Sequence, residues 1–167
     1  IVRYPKSILL KLFNAALLNI GIIRKFILPR IIQIFAGRNG AITKETRTTK
    51  MGYEYRPDAV LYNLKRINKK FPDKQIFITE NGIATDNDDE RIEFVTTVLK
   101  DVHQFESENS NVIGYLYWSL LDNFEWDLGY QMNFGLVEVD RETYKRIPHK
   151  SAEWFGNISS SNILSIT

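Results

Sequence analysis

The spacing of apolar and polar positions predicts alternating helices and strands between residues 57 and 118. Apolar residues recur at helical spacing over residues 57–70, which begin with a proline suited to a first helical turn, and again over residues 90–107. Two short apolar runs, residues 75–80 and 112–118, have the length and composition of buried strands. This strand–helix–strand order is typical of a βαβ unit with parallel strands. The predicted buried stripe of the second helix consists of Ile92, Val95, Val98, Leu99, Val102 and Phe105.

The pattern is less regular beyond residue 118. Residues 134–140 form a short extended run, and a polar turn follows at residues 140–143. A last helix is predicted to start at Ser151 and to continue to about Gly156. The Ser- and Asn-rich segment 159–167 is predicted to be a frayed tail.

Residues 6–36 are strongly apolar, and their four charges, Lys11, Arg24, Lys25 and Arg30, are all positive. Neither apolar run in this segment reaches the roughly 18 uncharged residues of a membrane-spanning helix. Two interpretations stay open. The preferred one is a helical hairpin packed against the rest of the fold, and the alternative is a basic amphipathic element that makes peripheral membrane contact.

Composition narrows the classes of function. The net charge of the 167 residues is only +2, which argues against electrostatic binding of nucleic acid. The sequence has no cysteine, and His103 and His149 lack the spacing of metal ligands, so we predict no metal and no cofactor. The lack of cysteine fits a reducing compartment, which favours a cytoplasmic location. Peripheral membrane contact through residues 6–36 is the alternative.

The end of the first predicted strand carries the most informative chemistry. The apolar run 75–79 leads directly to a carboxylate, Glu80, and then breaks at Asn81 and Gly82. We expect an acid at the carboxyl-terminal edge of a buried strand, beside a turn that requires unusual backbone angles. In barrel enzymes this edge carries the catalytic residues. The alternative is a carboxylate in an ordinary turn between a strand and a loop.

The end of the second predicted strand adds aromatic residues and a further carboxylate. Trp118, Glu125 and Trp126 follow the apolar run 112–116. Indole rings stack on the apolar face of a sugar, and carboxylates accept hydrogen bonds from its hydroxyl groups. Together with Glu80, these residues indicate a carbohydrate pocket. Ordinary aromatic packing is the alternative for the two tryptophans.

Five stretches of the chain stand out by their order and spacing: Met51-Gly52-Tyr53, Ile78-Thr79-Glu80-Asn81-Gly82, residues 118–126, Phe134-Gly135-Leu136-Val137 and Lys145-Arg146-Ile147-Pro148. Together they resemble the C-terminal third of glycoside hydrolase family 1, the β-glucosidase/β-galactosidase family. The resemblance covers residues 51–158 and implies an α/β fold, the C-terminal portion of a (β/α)8 TIM barrel. The barrel is incomplete in this chain, since a whole barrel needs at least about 200 residues.

The chain is predicted to have three parts, and the resemblance covers the middle one. Residues 1–50 are predicted to be an apolar, basic helical segment and loop that forms an insertion or a lid-like element, residues 51–158 the C-terminal barrel strands and helices, and residues 159–167 a frayed tail. The resemblance also implies a role for each site residue. The substrate class implied is a terminal, non-phosphorylated β-D-glucoside or galactoside, hydrolysed with retention of configuration through a glycosyl–enzyme intermediate. The implied roles are nucleophile for Glu80, sugar stacking for Trp118, hydroxyl recognition for Glu125 and Trp126, and a pocket wall for Phe134, with Asp122 and Asn123 holding the loop.

One catalytic carboxylate is missing from the chain. The family places its acid/base in an Asn-Glu-Pro motif, which occurs nowhere in this sequence. We therefore expect a fragment that is inactive alone, whose missing partner is the N-terminal part of the barrel. The free strands of such a fragment would expose apolar side chains, among them Ile76, Ile78 and Leu116. The alternatives are a natural half-barrel, a non-catalytic relative that binds a glycan or a protein, and a membrane-surface element built on residues 6–36.

Overall fold

The structure is a computed structural model that describes residues 46–164. The helical hairpin predicted for residues 6–36, most of the predicted segment 1–50 and the last residues of the predicted tail lie outside the described residues. The described residues from Thr48 onward form one compact unit. This unit starts slightly before the predicted boundary, which followed residue 50. The reason is a backbone hydrogen bond of 3.2 Å from the Lys50 N–H to the Ala84 carbonyl, which attaches residues 48–50 to the barrel part.

Two helices and two strands confirm the predicted alternation. In chain order, the structure has helix α1 at Ala59–Lys70, strand β1 at Ile76–Asn81, helix α2 at Asp88–Asn109 and strand β2 at Val112–Tyr117. Helix α2 starts slightly earlier than predicted because the side chain of Asn87 caps it by accepting a hydrogen bond from the Asp89 N–H. Within the described residues, no helix combines the length and apolar character needed to cross a bilayer.

The two strands pair in parallel, as the βαβ pattern predicts. Phe77 pairs with Gly114, and Asn81 pairs with Tyr117 at the carboxyl-terminal edge. The register shifts between Ile78 and Asn81, so the last residues of β1 depart from regular pairing. The carboxyl ends of both strands therefore lie side by side at one edge of the sheet.

The rest of the unit follows β2. A 3₁₀ turn at Trp126–Leu128 comes first, followed by strands β3 at Val137–Val139 and β4 at Arg146–Pro148 and by helix α3 at Lys150–Ser161. Strands β3 and β4 pair antiparallel across the turn predicted at residues 140–143. Only the first of these two strands lies in the predicted extended run 134–140.

Helix α3 continues into the segment predicted to be a frayed tail, so that prediction is wrong for residues 159–161. The serines that suggested fraying donate their hydroxyl groups to carbonyls of the preceding turn: Ser159 to Phe155, Ser160 to Gly156 and Ser161 to Asn157. Asn162 then adopts the left-handed conformation that ends many helices. These local bonds give the last turn partners for its polar groups.

Two apolar clusters form the core between the sheet and the helices. One contains Ile83, Phe94, Val95 and Val98. The other joins Leu64 of α1, Ile76 of β1 and Phe105 of α2, so α1 and α2 both pack on the same face of the sheet. The helices therefore support the β1–β2 sheet from this face.

The opposite face of the sheet is exposed. Phe77 and Leu116 on this face are 47% and 50% exposed, and Ile113, where the strand pairing shifts register, is 59% exposed. The sequence predicted that Ile76, Ile78 and Leu116 would be exposed. That prediction was right for Leu116 but wrong for Ile76, which is buried, and for Ile78, which is half-buried against the helices. Alternate side chains of a strand point to opposite faces, and the helices occupy the face of Ile76 and Ile78.

This exposed face leads to a prediction about the chain on its own. The 167-residue chain should self-associate and bind a hydrophobic dye. Within residues 46–164 an apolar sheet face is exposed and the outer strand edges are unpaired, and such surfaces favour association. Replacing Ile113 and Leu116 by threonine should reduce dye fluorescence. Ile163→Thr, at a position 64% exposed beyond α3, is the matched control. A monomer by size-exclusion light scattering that does not enhance the dye would contradict the prediction.

Candidate active site

Glu80 and Trp118 lie at the same edge of the sheet. Glu80 is the penultimate residue of β1 and is exposed, and Trp118 directly follows β2 and is 39% exposed. The Trp118 N–H donates a hydrogen bond of 2.8 Å to the carbonyl of Asn81, the residue after Glu80. The backbone thus holds the predicted nucleophile and the predicted stacking residue on adjacent strand ends. A groove of about 380 Å³ between α1 and β1 borders Glu80.

A half-buried tyrosine fixes the end of β1. The Tyr115 hydroxyl donates a hydrogen bond of 2.8 Å to Oδ1 of Asn81. Burial, with a smaller contribution from Tyr117, raises the pKa of Tyr115 above its ordinary value, so the phenol stays protonated and remains a donor. The residue that follows Glu80 is therefore held through its backbone and its side chain.

Gly82 is required at this edge for a reason different from the predicted one. Positive φ angles among the described glycines occur at Gly52 and Gly129, so the expectation of unusual backbone angles at Gly82 was wrong. A Cβ at Gly82 would lie 1.7 Å from the Trp118 carbonyl oxygen. Only a residue without a side chain lets the chain after β1 approach Trp118 this closely.

Phe134 lies beside the loop that follows Trp118. Its ring is half-buried, and its carbonyl accepts a hydrogen bond of 2.9 Å from the Tyr117 hydroxyl and one of 3.3 Å from the Ser119 N–H. Leu136 in turn donates its N–H to the Ser119 carbonyl at 2.9 Å. The structure therefore brings Glu80, Trp118 and Phe134 together through the backbone segments that carry them.

Glu125 and Trp126 lie on a separate turn of the loop after β2. The Glu125 N–H donates to the Gly129 carbonyl at 2.7 Å, which closes the turn, and Trp126 is 84% exposed. Asp122 ties this loop to the others, since its Oδ1 accepts from the Gly135 N–H at 2.8 Å. The fixed point of the loop is therefore Asp122, and the turn with Glu125 and Trp126 extends from it.

Further contacts hold this loop from both sides. Arg141 donates to the Asp122 carbonyl at 2.6 Å and places its guanidinium carbon 4.1 Å from the ring centroid of Tyr130. Asn123 donates to Ser119 Oγ at 2.8 Å. The predicted structural role of Asp122 and Asn123 agrees with these contacts.

Sequence reasoning missed the most connected side chain near the site, Arg91. It is 1% exposed and lies at the start of α2. It was overlooked because the predicted stripe began at Ile92, although residues 91, 95, 98, 102 and 105 follow helical spacing. An arginine that continues an apolar stripe is the signal that could have identified it. Its acceptors are Asp88 Oδ1 at 3.1 Å, the Ile83 carbonyl at 3.1 Å, the Thr85 carbonyl at 3.2 Å, the Tyr117 hydroxyl at 3.0 Å, the Asn133 carbonyl at 3.2 Å and the Phe134 carbonyl at 3.0 Å.

Asp88 balances the charge of Arg91. Burial by itself raises the pKa of this carboxyl, but the hydrogen bonds from Ser151 and Arg91 outweigh it and leave the pKa below its ordinary value. A lowered pKa means that the carboxylate stabilises the fold at neutral pH. That contribution is lost as the pH falls through the lowered pKa, below about 4.

Among residues 46–164, no group of three or more His, Asp and Glu side chains is arranged to hold a metal ion.

Comparison with known proteins identifies the family. The sequence profile described as Glycosyl hydrolase family 1 matches residues 32–163, which is most of the chain. The chain belongs to glycosyl hydrolase family 1. Among its curated relatives is the 6-phospho-beta-galactosidase of Leptotrichia buccalis, to which this chain is 39% identical over 114 residues. The match covers 63% of this chain and 24% of that protein.

Solved structures of family 1 enzymes share the fold. A beta-glycosidase from Pyrococcus horikoshii matches with a TM-score of 0.70 and 40% identity over 75% of this chain. Beta-glucosidase from Thermotoga maritima in complex with cyclophellitol matches with a TM-score of 0.71 and 34% identity over 74% of this chain. The chain spans 29% and 30% of the length of these two structures, so it corresponds to part of their TIM barrel.

The close approach at Gly82 leads to a prediction. Gly82→Ala should destabilise a complete barrel that contains this chain by about 1–3 kcal/mol or more, because the added methyl must displace the Trp118 carbonyl. Gly156→Ala is the matched control, since a Cβ there meets no atom within 4 Å. Alanine in that helix should be neutral or stabilising by up to about 1 kcal/mol. Denaturant unfolding measures both, and equal stabilities of the two variants would contradict the argument.

Proposed function

We propose that the chain is the C-terminal part of a retaining β-glycosidase that hydrolyses terminal, non-phosphorylated β-D-glucosides and galactosides. The observation that carries the proposal is the position of Glu80 beside Trp118, on adjacent strand ends joined by the hydrogen bond from Trp118 to Asn81. A carboxylate next to an exposed indole at the catalytic edge of a barrel suits a nucleophile beneath a stacked sugar.

In the proposed reaction, a carboxylate oxygen of Glu80 attacks the anomeric carbon and forms a glycosyl–enzyme ester. The bond between that carbon and the leaving oxygen breaks, and an acid protonates the leaving oxygen. Water then attacks the anomeric carbon from the side opposite to Glu80, the side from which the leaving group departed. The bond between that carbon and Glu80 breaks, and the acid/base takes the proton of the water, so the sugar leaves with its original configuration. The acid/base must sit roughly 5–5.5 Å from Glu80. It is proposed to come from the part of the barrel that this chain does not contain.

The remaining site residues bind the sugar in this proposal. Trp118 offers an apolar face for stacking, and Phe134 closes the wall beside it. Trp126 donates its indole N–H, and Glu125 accepts hydrogen bonds from the outer hydroxyl groups. Support comes from the backbone contacts that place Phe134 next to the segment after Trp118, and from Asp122, which anchors the loop of the other two residues.

The charge of Glu125 favours a neutral sugar over a sugar phosphate. A carboxylate repels a phosphate group and gains charge-assisted hydrogen bonds from hydroxyl groups. The overall identity of 39% to a 6-phospho-beta-galactosidase does not separate the two substrate classes, because it averages over residues that form the barrel. The choice depends on the loop that carries Glu125.

The chain alone should not turn over substrate at an enzymatic rate. Loss of the general acid by itself removes typically 10²–10⁴-fold of the rate. The partner that completes the site is the N-terminal part of the barrel, and we call the polypeptide that contains both parts the complete enzyme. A non-catalytic relative that binds a glycan or a protein is the alternative, and the next experiment separates the two.

Glu80 should be the residue that forms the covalent intermediate. The complete enzyme, incubated with a 2-deoxy-2-fluoro-β-D-glucosyl fluoride, should carry one adduct on the peptide that contains Glu80, because the fluorine slows hydrolysis of the ester. Mass spectrometry of the digested protein locates the adduct, and Glu80→Gln should show none. An adduct on another carboxylate would refute the assignment. A complete enzyme with neither adduct nor hydrolysis would favour the non-catalytic relative.

Glu125 should determine sugar choice. Glu125→Gln in the complete enzyme removes a charge-assisted hydrogen bond of about 1.5–3 kcal/mol, which corresponds to a fall in kcat/KM of about 10–150-fold. The ratio of kcat/KM for aryl glucosides and galactosides should shift as well, since the two sugars differ in an outer hydroxyl group. Glu153→Gln, exposed on α3, is the matched control. Unchanged kinetics on both sugars would rule the role out.

A further inference from the structure

Arg91 donates hydrogen bonds to the segments that carry or adjoin Glu80, Trp118 and Phe134. Its acceptors Ile83 and Thr85 are backbone carbonyls of the segment that follows the end of β1 at Asn81. Its acceptor Tyr117 is the residue before Trp118. The carbonyl of Phe134 is itself an acceptor. One side chain therefore contacts each of the segments whose relative position defines the sugar pocket.

We propose that Arg91 is a positioning residue of the glycosidase, which sets the distance between Glu80, Trp118 and Phe134 without touching the substrate. The proposal rests on the proposed function. Arg91 is 1% exposed at the start of α2, a helix that packs on the face of the sheet opposite to the exposed one. It acts on the pocket through backbone carbonyls and through the Tyr117 hydroxyl. This hydroxyl accepts a hydrogen bond from Arg91 and donates one to the Phe134 carbonyl.

The geometry of the guanidinium suits this task better than that of an ammonium group. A guanidinium has five N–H donors in a fixed plane, and here they face carbonyls from two loops together with Asp88. Lysine has three donors on a flexible stem, so it cannot serve both loops in the same way. Arg91→Lys therefore keeps the positive charge beside Asp88 and leaves some buried carbonyls without their donor.

The anchoring of the Glu125 loop provides an internal control. That loop is held by Asp122, through the hydrogen bonds from Gly135 and Arg141, and not directly by Arg91. A shift caused by Arg91→Lys should slow attack by Glu80 on glucosides and galactosides by the same factor. Sugar choice should stay the same. A merely structural role of Arg91 would lower stability without altering the kinetics of the folded enzyme.

The test measures kinetics per active site in the complete enzyme. Active sites are counted by the 2-deoxy-2-fluoro-glucosyl adduct on Glu80, and kcat/KM is divided by that count. Arg91→Lys should lower kcat/KM by about 10–100-fold for both aryl glucoside and aryl galactoside, because displacements of about 1 Å have effects of this size. The control is Leu64→Ala in the core between α1 and α2, which should lower the melting temperature and leave kcat/KM per active site unchanged.

Wild-type kcat/KM per active site in Arg91→Lys would overturn the inference, and so would an equal kinetic loss in Leu64→Ala. If Arg91→Lys does not fold, Tyr117→Phe tests the same connection, since it removes only the hydroxyl between Arg91 and Phe134. A smaller loss for both sugars is then expected, and wild-type kinetics would overturn the inference. Failure of the proposed function is seen separately, as a wild-type enzyme without the adduct on Glu80.

Discussion

The guanidinium of Arg91 is buried, and it donates hydrogen bonds to segments that are far apart in the sequence. A buried charge is tolerated only when it is paired and its donors are satisfied. Asp88 supplies the pairing, and Asp88 is itself held by the N–H and hydroxyl groups of Ser151 at the start of α3. A continuous chain of polar contacts therefore runs from α3 through α2 to the loops at the strand ends. Because the charge cannot leave this position without losing all of its partners, the loops are fixed to the helices behind the sheet.

Backbone groups make several of the contacts at the strand ends. Trp118 donates its N–H to Asn81, and Gly82 passes so close to the Trp118 carbonyl that no side chain fits between them. Gly135 is in the same situation, since a Cβ there would lie 2.4 Å from the backbone nitrogen of Asp122. The close approach at Gly82 involves the backbone of Trp118, whereas the proposed ligand contacts of Glu80 and Trp118 involve their side chains.

The sequence predicts the parts of this arrangement that depend on local periodicity. Helices α1 and α2, strands β1 and β2 and their parallel pairing follow from apolar spacing and from the length of the connection. The resemblance to the family, and not the periodicity, supplied the roles of the predicted site residues. Strand β4 was missed because its residues become a strand only by pairing with β3, and pairing is a non-local property. The burial of Ile76 was not predicted because it depends on which face of the sheet the helices cover. Arg91 was missed because a charged residue on a helix is usually solvated, and its acceptors lie on segments distant in the sequence.

The exposed half of the structure has a consequence for assembly. Phe77 and Leu116 lie on the exposed face of the sheet, and Glu80 and Trp118 lie at its carboxyl-terminal edge. In a closed barrel the bare face becomes the interior, and the strand ends form the rim of the catalytic site. Burial of the apolar face and completion of the pair of carboxylates are therefore one event under the proposed function. A ligand that binds only the complete site must then stabilise the closed barrel by mass action, so assembly and substrate binding are thermodynamically linked.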